Sequence, residues 1–116
     1  MSRDLSLYLT DIINSVDRIK DYTRNMNYDD FVEDRKTYDA VIHNLQIIGE
    51  ATKQVPEIIR QKYPDIPWRQ VAGLRDVIAH TYFIVNPEIV WNILNTELEP
   101  LRITIVLILS NETLDL

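Results

Sequence analysis

The most informative absence in this sequence is cysteine, of which there is none. Without thiols the chain can form neither a disulfide framework nor a thiolate zinc site, and a cysteine nucleophile is excluded. Residues Met1–Leu9 place Asp4 among apolar side chains, unlike the basic and then apolar layout of a secretory signal. Together these features predict a cytoplasmic protein.

The sequence also lacks the features of proteins that span membranes or coat nucleic acids. Its most apolar stretch, Ile103–Leu109, is far shorter than the ~20 residues that a helix needs to cross a bilayer. Its formal net charge of −6 would repel the phosphate backbone at long range, which argues against tight, sequence-indifferent binding of nucleic acid through a broad basic surface. A local basic site remains open.

Glycine is scarce, with 2 in 116 residues, whereas 46% of the residues are hydrophobic. Disordered and fibrous chains do not have this composition. The length is enough to enclose one hydrophobic core but not two. We therefore expect residues 1–116 to form a single domain.

Apolar residues recur at three- and four-residue intervals along the chain, which predicts an all-α fold. The predicted elements are a helix at Asp4–Arg24, a second from Tyr28 or Asp30 to Gln54, a short turn at Glu57–Lys62, a third helix at Trp68–His80 and a fourth from Pro87 to about Ser110. The expected architecture is an up-and-down four-helix-type bundle with one short extra helical turn.

The predicted fourth helix is apolar on more than one face. Its apolar residues include Ile89, Val90, Trp91, Ile93, Leu94, Ile103 and Ile105–Leu109. A monomeric four-helix domain can bury only one stripe of each helix, so the surplus indicates a partner surface. We expect a homodimer.

The candidate chemistry lies in the segment Arg75–Tyr82. The chain has 2 histidines and lacks a Gly-rich phosphate loop, a His-Glu-x-x-His motif and an acidic calcium loop, so most catalytic classes are excluded. Within this segment a permanent cation (Arg75), a carboxylate (Asp76), a titratable base (His80) and a phenol (Tyr82) lie close together in sequence.

Helical spacing determines how these residues could cooperate. At roughly 100° per residue, Asp76 and His80 share a face, so the carboxylate can orient the imidazole. Arg75 and His80 diverge by about 140°, so one phosphate reaches both only if the helix end deforms or two protomers combine. The set suits RNA cleavage without a metal or other cofactor, because the 2′-hydroxyl is an internal nucleophile that needs a base, an acid and charge stabilisation.

The segment belongs to a longer, recognisable pattern. Trp68–Phe83, followed by Val90-Trp91 and Leu98–Leu101, closely resembles the HepT-like toxins of the HEPN superfamily, and Arg35, Asp39–Val41, Asn44-Leu45 and Ile47–Ala51 are similar to the second helix of that family. The resemblance covers nearly the whole chain, with Arg-x4-His-x-Tyr at its centre. It implies a dimerising bundle in which Arg75 and His80 of both protomers line one ribonuclease cleft.

The resemblance also implies a mode of regulation. Members of the family pair with an MntA-like minimal nucleotidyltransferase antitoxin, in a type VII-like toxin–antitoxin system, and AMP transfer to the motif tyrosine silences the toxin. Tyr82 is the matching position. The sequence departs from the family at Asp76, where asparagine is common, and an acid there can repel phosphate as well as orient His80.

Several other polar residues are candidates with weaker support. Glu50 matches a family acid and, with Asn44, is a candidate supporting residue, although a surface charge explains Glu50 equally well. His43 is interpreted as a surface or partly buried polar residue. The basic residues Arg60, Lys62 and Arg69 could guide RNA to the cleft or be ordinary solvated charges.

Two other functions remain open at this point. The same cleft could hold a nucleotide without cutting RNA, or the chain could be a purely structural subunit that binds a nucleotidyltransferase. Loss of ribonuclease activity in Arg75→Ala and His80→Ala would favour the enzyme, whereas partner binding without toxicity would favour the structural subunit.

Overall fold

The computed structural model describes residues 4–80 and 86–112, with the description of residues 75–80 limited to the backbone. All regular secondary structure in these ranges is helical. The helices are α1 (Leu5–Tyr22), α2 (Tyr28–Glu33), α3 (Arg35–Thr52), α4 (Glu57–Lys62), α5 (Trp68–His80), α6 (Pro87–Thr96) and α7 (Leu98–Asn111). The expected all-α fold is confirmed.

The predicted second helix is two helices, and the break lies at Asp34. The backbone of Asp34 is extended (φ −90°, ψ 91°), and its side chain accepts a hydrogen bond of 3.1 Å from the Thr37 amide. This bond lowers the pKa of Asp34, so the cap is charged at neutral pH. An aspartate in this conformation ends one helix and caps the next, although the apolar periodicity continues across it.

The predicted fourth helix is also divided, between Thr96 and Leu98. The cause is Pro100, whose ring would clash with the Thr96 carbonyl in a continuous helix and which has no amide to donate to that carbonyl. In the first turn of α7 the missing amide has no partner to lose. A single helix from Pro87 to about Ser110 was therefore wrong, although its two outer limits lie close to those of α6 and α7.

The central helix of the domain is α3, which packs against α1, α2 and α5. Helix α1 lies between α3 and α7, since it contacts both. The side chains that are fully buried between these helices include Leu9, Ile12, Val16, Val41, Leu45, Ile48, Leu101, Ile105 and Ile108. Burial of so many apolar side chains at a single core is the main stabilising contribution to the fold.

A cluster of aromatic rings joins α2 to α3 and α6. Phe31 is fully buried, and its ring centroid lies 5.3 Å from that of Tyr38 and 5.1 Å from that of Trp91. Aromatic rings at such separations add to the free energy of apolar burial. Phe31 therefore connects three helices that would otherwise have few common contacts.

Ion pairs join α1 to α7 on the surface. Arg102 Nε donates to Asp17 Oδ1 over 2.7 Å, and Lys20 pairs with Glu99. The hydrogen bond from Arg102 lowers the pKa of Asp17. Because these side chains are partly exposed, each pair contributes only about 0–1 kcal/mol. Their main effect is to fix the register of two helices that are distant in sequence.

In the parts of the chain that the structure describes, no helix combines the length and apolar character that crossing a lipid bilayer requires.

Candidate functional site

The three predicted catalytic residues, Arg75, Asp76 and His80, lie on α5. The N-terminal half of this helix packs against the core. Trp68 is 6% exposed, and its indole Nε1 donates a hydrogen bond of 2.9 Å to the Tyr63 carbonyl. Val71 and Ala72 are buried one turn later, and α5 packs along α3. The helix that carries the motif is therefore anchored before the motif begins.

The backbone of α5 contains Arg75, Asp76 and His80, and His80 is its last residue. Asp76 and His80 are one turn apart and share a helix face, whereas Arg75 and His80 diverge by about 140°. The side chains of these three residues, and Tyr82 as a whole, lie outside the described residues. The roles predicted for them remain proposals.

The two candidate supporting residues on α3 have different environments. Asn44 is buried, and its Nδ2 donates to the Ala40 carbonyl over 2.9 Å, while its Oδ1 is buried without a hydrogen-bond partner among the described residues. Glu50 is exposed. At 100° per residue the two positions are about 120° apart, so they do not share a face of α3. Only Asn44 lies within the packed interior.

Two of the three basic residues considered as RNA guides have structural partners. Arg60 donates from Nε to the Val55 carbonyl over 3.0 Å and from Nη2 to the Thr52 carbonyl over 2.9 Å. Thr52 is the last residue of α3, where helices leave acceptors without intrahelical donors, and Val55 lies just beyond it. Arg60 therefore caps α3, and its interpretation as an RNA guide is not supported.

Lys62 has a partner of its own in Glu112. Lys62 Nζ donates to Glu112 Oε1 over 2.8 Å, and the Tyr63 hydroxyl donates to Oε2 over 3.1 Å. The hydrogen bond between them raises the pKa of Lys62 and lowers that of Glu112. Arg69 is exposed and makes no ion pair within the described part of the chain, so it is the one member of the trio still available to RNA.

A cavity of about 310 Å³ shows how α5 lies relative to α6. It is lined by Pro67, Gln70, Val71, Leu74, Ile93 and Glu97. The first half of α5 thus faces the second half of α6. Five residues lie between His80 and Asn86, so the end of α5 and the start of α6 are also close in sequence.

A second pocket, of about 460 Å³, opens along α6. It is lined by Tyr28, Glu88, Trp91, Asn92 and Asn95. The Trp91 ring contacts Phe31 in the aromatic cluster and also lines this pocket. In the sequence, only the helical spacing of Glu88, Asn92 and Asn95 indicates this pocket. Tyr28 lies far from them in the sequence, so only the fold shows that it belongs to the pocket lining.

The described side chains contain no group of three His, Asp or Glu residues that could hold a metal ion.

Comparison with known proteins identifies the family. Residues 12–108 match the family described as Ribonuclease HepT-like. The chain belongs to this family. The matched range contains all of α3 and α5 and therefore both the central helix and the motif, which confirms the resemblance seen in the sequence.

Relatives in archaea and bacteria share much of the chain. "Putative RNase MJ0127" of Methanocaldococcus jannaschii is 45% identical over 91 residues, which cover 78% of this chain and 75% of that protein. "Probable ribonuclease HepT" of Thermococcus cleftensis is 38% identical over 102 residues, covering 88% and 93%. "Putative RNase TTE0752" of Caldanaerobacter subterraneus is 34% identical over 105 residues, covering 90% and 94%. No solved structure matches the chain significantly.

Proposed function

We propose that this chain is a metal-independent endoribonuclease and the toxin of a type VII-like toxin–antitoxin pair. The observation that carries the proposal is the match to a ribonuclease family over residues 12–108, a range that includes Arg75, His80 and Tyr82. The relatives named above are ribonucleases by name and have similar length. The anchored helix α5 supports the proposal further, because catalytic side chains need a rigid support.

The chemistry begins with the RNA 2′-hydroxyl. His80 removes its proton, and the oxygen attacks the adjacent phosphorus. Arg75 donates to the phosphate oxygens and stabilises the negative charge of the phosphorane. The 5′-oxygen then leaves with a proton from a histidine acting as acid, so the products are a 2′,3′-cyclic phosphate and a 5′-hydroxyl. Asp76 orients the His80 ring.

The divergence of Arg75 and His80 on α5 supports a cleft shared by two protomers. A C2 dimer brings the same helix of both protomers to one axis, so that the arginine of one can act with the histidine of the other. Exposed apolar residues on α6 and α7 favour self-association, among them Ile89, Ile103 and Leu107.

Cleavage is expected to survive EDTA and to leave a 2′,3′-cyclic phosphate, because the mechanism uses a base, an acid and a cation without a metal-bound water. The measurement is cleavage of a labelled single-stranded RNA with excess EDTA, followed by mass spectrometry of the fragments. The same preparation of His80→Ala controls for contaminating nucleases. An absolute requirement for added magnesium would contradict the mechanism.

We further propose that Tyr82 accepts AMP from a cognate MntA-like nucleotidyltransferase antitoxin. AMP attached two residues beyond His80 would add bulk and a negative charge that pairs with Arg75 and excludes the RNA phosphate. Inhibition would then be both covalent and steric.

Co-expression with that nucleotidyltransferase is expected to add AMP to the wild-type chain and to relieve growth arrest, whereas Tyr82→Phe should stay unmodified and toxic. Intact-mass spectrometry measures the modification. Tyr22→Phe is a matched control, since Tyr22 is an exposed tyrosine at the end of α1 and its loss should leave the modification unchanged. Modification or silencing of the Tyr82→Phe variant would show that Tyr82 is not the regulatory position.

A further inference from the structure

The pocket between α2 and α6 is lined by two aromatic rings, which contact each other edge to face, and by polar groups of α6. The rings of Tyr28 and Trp91 have centroids 6.4 Å apart and meet at 65°. Glu88, Asn92 and Asn95 recur on one side of α6 and complete the lining. With a volume of about 460 Å³, the pocket lies within the ordinary range of small-molecule sites.

Several polar groups in this pocket have unused hydrogen-bonding capacity. The Tyr28 hydroxyl and the side-chain amide of Asn92 make no hydrogen bond to another described residue. Partial burial and the carboxylates of Glu88 and Asp29 raise the pKa of Tyr28, so its hydroxyl remains a donor at neutral pH. Asn95 uses one donor on the Trp91 carbonyl, over 2.8 Å, and retains its amide oxygen. The pocket thus offers a carboxylate acceptor, a phenol donor and amides.

We propose that this pocket is a subsite for a guanine base of single-stranded RNA, an inference that rests on the proposed ribonuclease function. Unstacked bases bind proteins by stacking on aromatic rings and by hydrogen bonds to their edges. A base is favoured over a phosphate because Glu88 is anionic and no lysine or arginine lines the pocket. The site would recognise a nucleotide beside the one that is cut.

The donor and acceptor pattern selects guanine. Its N1–H and N2–H groups are adjacent donors that one carboxylate accepts together, as Glu88 would, while its O6 accepts from the Tyr28 hydroxyl or the Asn92 amide. Uracil presents one donor between two carbonyl oxygens, which a carboxylate repels. Adenine and cytosine present one amino group beside an acceptor nitrogen, so they bind a carboxylate through a single bond.

The pocket lies within reach of the motif. Five residues lie between His80 and Asn86, so six Cα-to-Cα steps join them and the ends of α5 and α6 are at most about 20 Å apart. Glu88 and Trp91 lie in the first turns of α6, the part of that helix that is nearest to His80 in sequence. A single strand with one phosphate at His80 can therefore place a nearby base against the Tyr28 and Trp91 rings.

Binding can be measured without cleavage, because DNA has no 2′-hydroxyl to attack the phosphate. A deoxypentanucleotide with one central guanine among thymines is expected to quench the fluorescence of Trp91 saturably, and an all-thymine pentamer much less. Trp91→Phe should abolish the guanine-dependent quenching. Glu88→Gln should weaken guanine binding about tenfold, as expected when a hydrogen bond to a charged group is lost.

Two further variants distinguish the loss of a hydrogen bond in the pocket from a general effect of charge or a folding defect. Glu33→Gln removes an equal charge from the exposed end of α2, outside the pocket, and should leave binding unchanged. Tyr28→Phe retains the ring and removes only the donor, so it should weaken guanine binding severalfold. Thermal melting of each variant verifies that it is folded. Equal quenching by both pentamers, or unaltered binding by Glu88→Gln, would overturn the proposal.

A second experiment measures the cleavage rate of uridine pentamers with and without one guanine. The wild type should cut the guanine-containing RNA faster, and Glu88→Gln should lose this preference. If guanine binds but no RNA is cut, the subsite stands and the ribonuclease proposal fails. If both RNAs are cut equally by both proteins, the ribonuclease proposal stands and the subsite is refuted.

Discussion

Replacing His80 by alanine is expected to lower the rate of RNA cleavage at least about 100-fold, because a positioned general base or acid contributes about 10²–10⁴. Arg75→Ala should lower it to a similar extent, since loss of a donor to developing negative charge costs about 10²–10³. The measurement is the initial cleavage rate of a single-stranded RNA at saturating substrate. Both variants should also fail to arrest growth on induction.

The matched control for this prediction is His43→Ala. His43 is exposed on α3, so its loss should affect neither cleavage nor thermal stability. Because α5 is anchored through Trp68 and Val71, ahead of the motif, both active-site variants should melt close to the wild type. Unchanged cleavage by His80→Ala would remove the catalytic proposal and favour a nucleotide-binding or structural subunit.

A mixture of the two inactive variants tests the shared cleft. In a heterodimer of Arg75→Ala and His80→Ala, one protomer retains Arg75 and the other retains His80. If the arginine and histidine act across the dimer, mixing should restore cleavage that neither variant shows alone. Restoration should fall on dilution below the dissociation constant of the dimer, because association depends on protomer concentration. A fully active monomer would contradict the shared cleft.

Phe31→Ala is expected to lower the free energy of unfolding by about 3–5 kcal/mol, the usual effect of truncating a buried phenylalanine. The side chain is 0% exposed and lies between Tyr38 and Trp91, so its removal leaves a cavity where α2, α3 and α6 meet. Domains are stable by only about 5–15 kcal/mol, so the variant should approach the limit of folding. Urea denaturation followed by circular dichroism measures the change.

The neighbouring residue is the control for this prediction. Val32 is 39% exposed, and Val32→Ala should change the free energy of unfolding by less than about 1 kcal/mol. A change of similar size in both variants would show that α2 is sensitive to any substitution and that the aromatic cluster has no special part in its stability.

Apolar periodicity predicted the helical fold because it shows which side of a segment is buried. It does not show whether the helix is continuous. The breaks at Asp34 and between Thr96 and Leu98 depend on one cap and one proline, while the burial pattern continues across both. The breaks are caused by Asp34 with Thr37 and by Pro100. These residues are visible in the sequence, but they lie inside strongly periodic segments.

In the candidate site, too, residues that are close in sequence could be predicted, whereas contacts between distant parts of the chain could not. Arg75, Asp76 and His80 could be predicted because they lie within a few residues of one another. The role of Arg60 could not, because its partners are carbonyls at the end of another helix. The pocket on α6 could not be predicted either, since one of its two aromatic walls, Tyr28, comes from a helix about 60 residues earlier.

The position of α1 between α3 and α7 has a consequence for synthesis of the protein. The pairs Asp17–Arg102 and Lys20–Glu99 join residues that are 85 and 79 positions apart. Contacts at such distances form late, because much of the chain must be ordered first. During translation α1 can meet α3 early, but it remains uncovered on its other side until α7 leaves the ribosome. The complete domain therefore forms only after α7 has been translated.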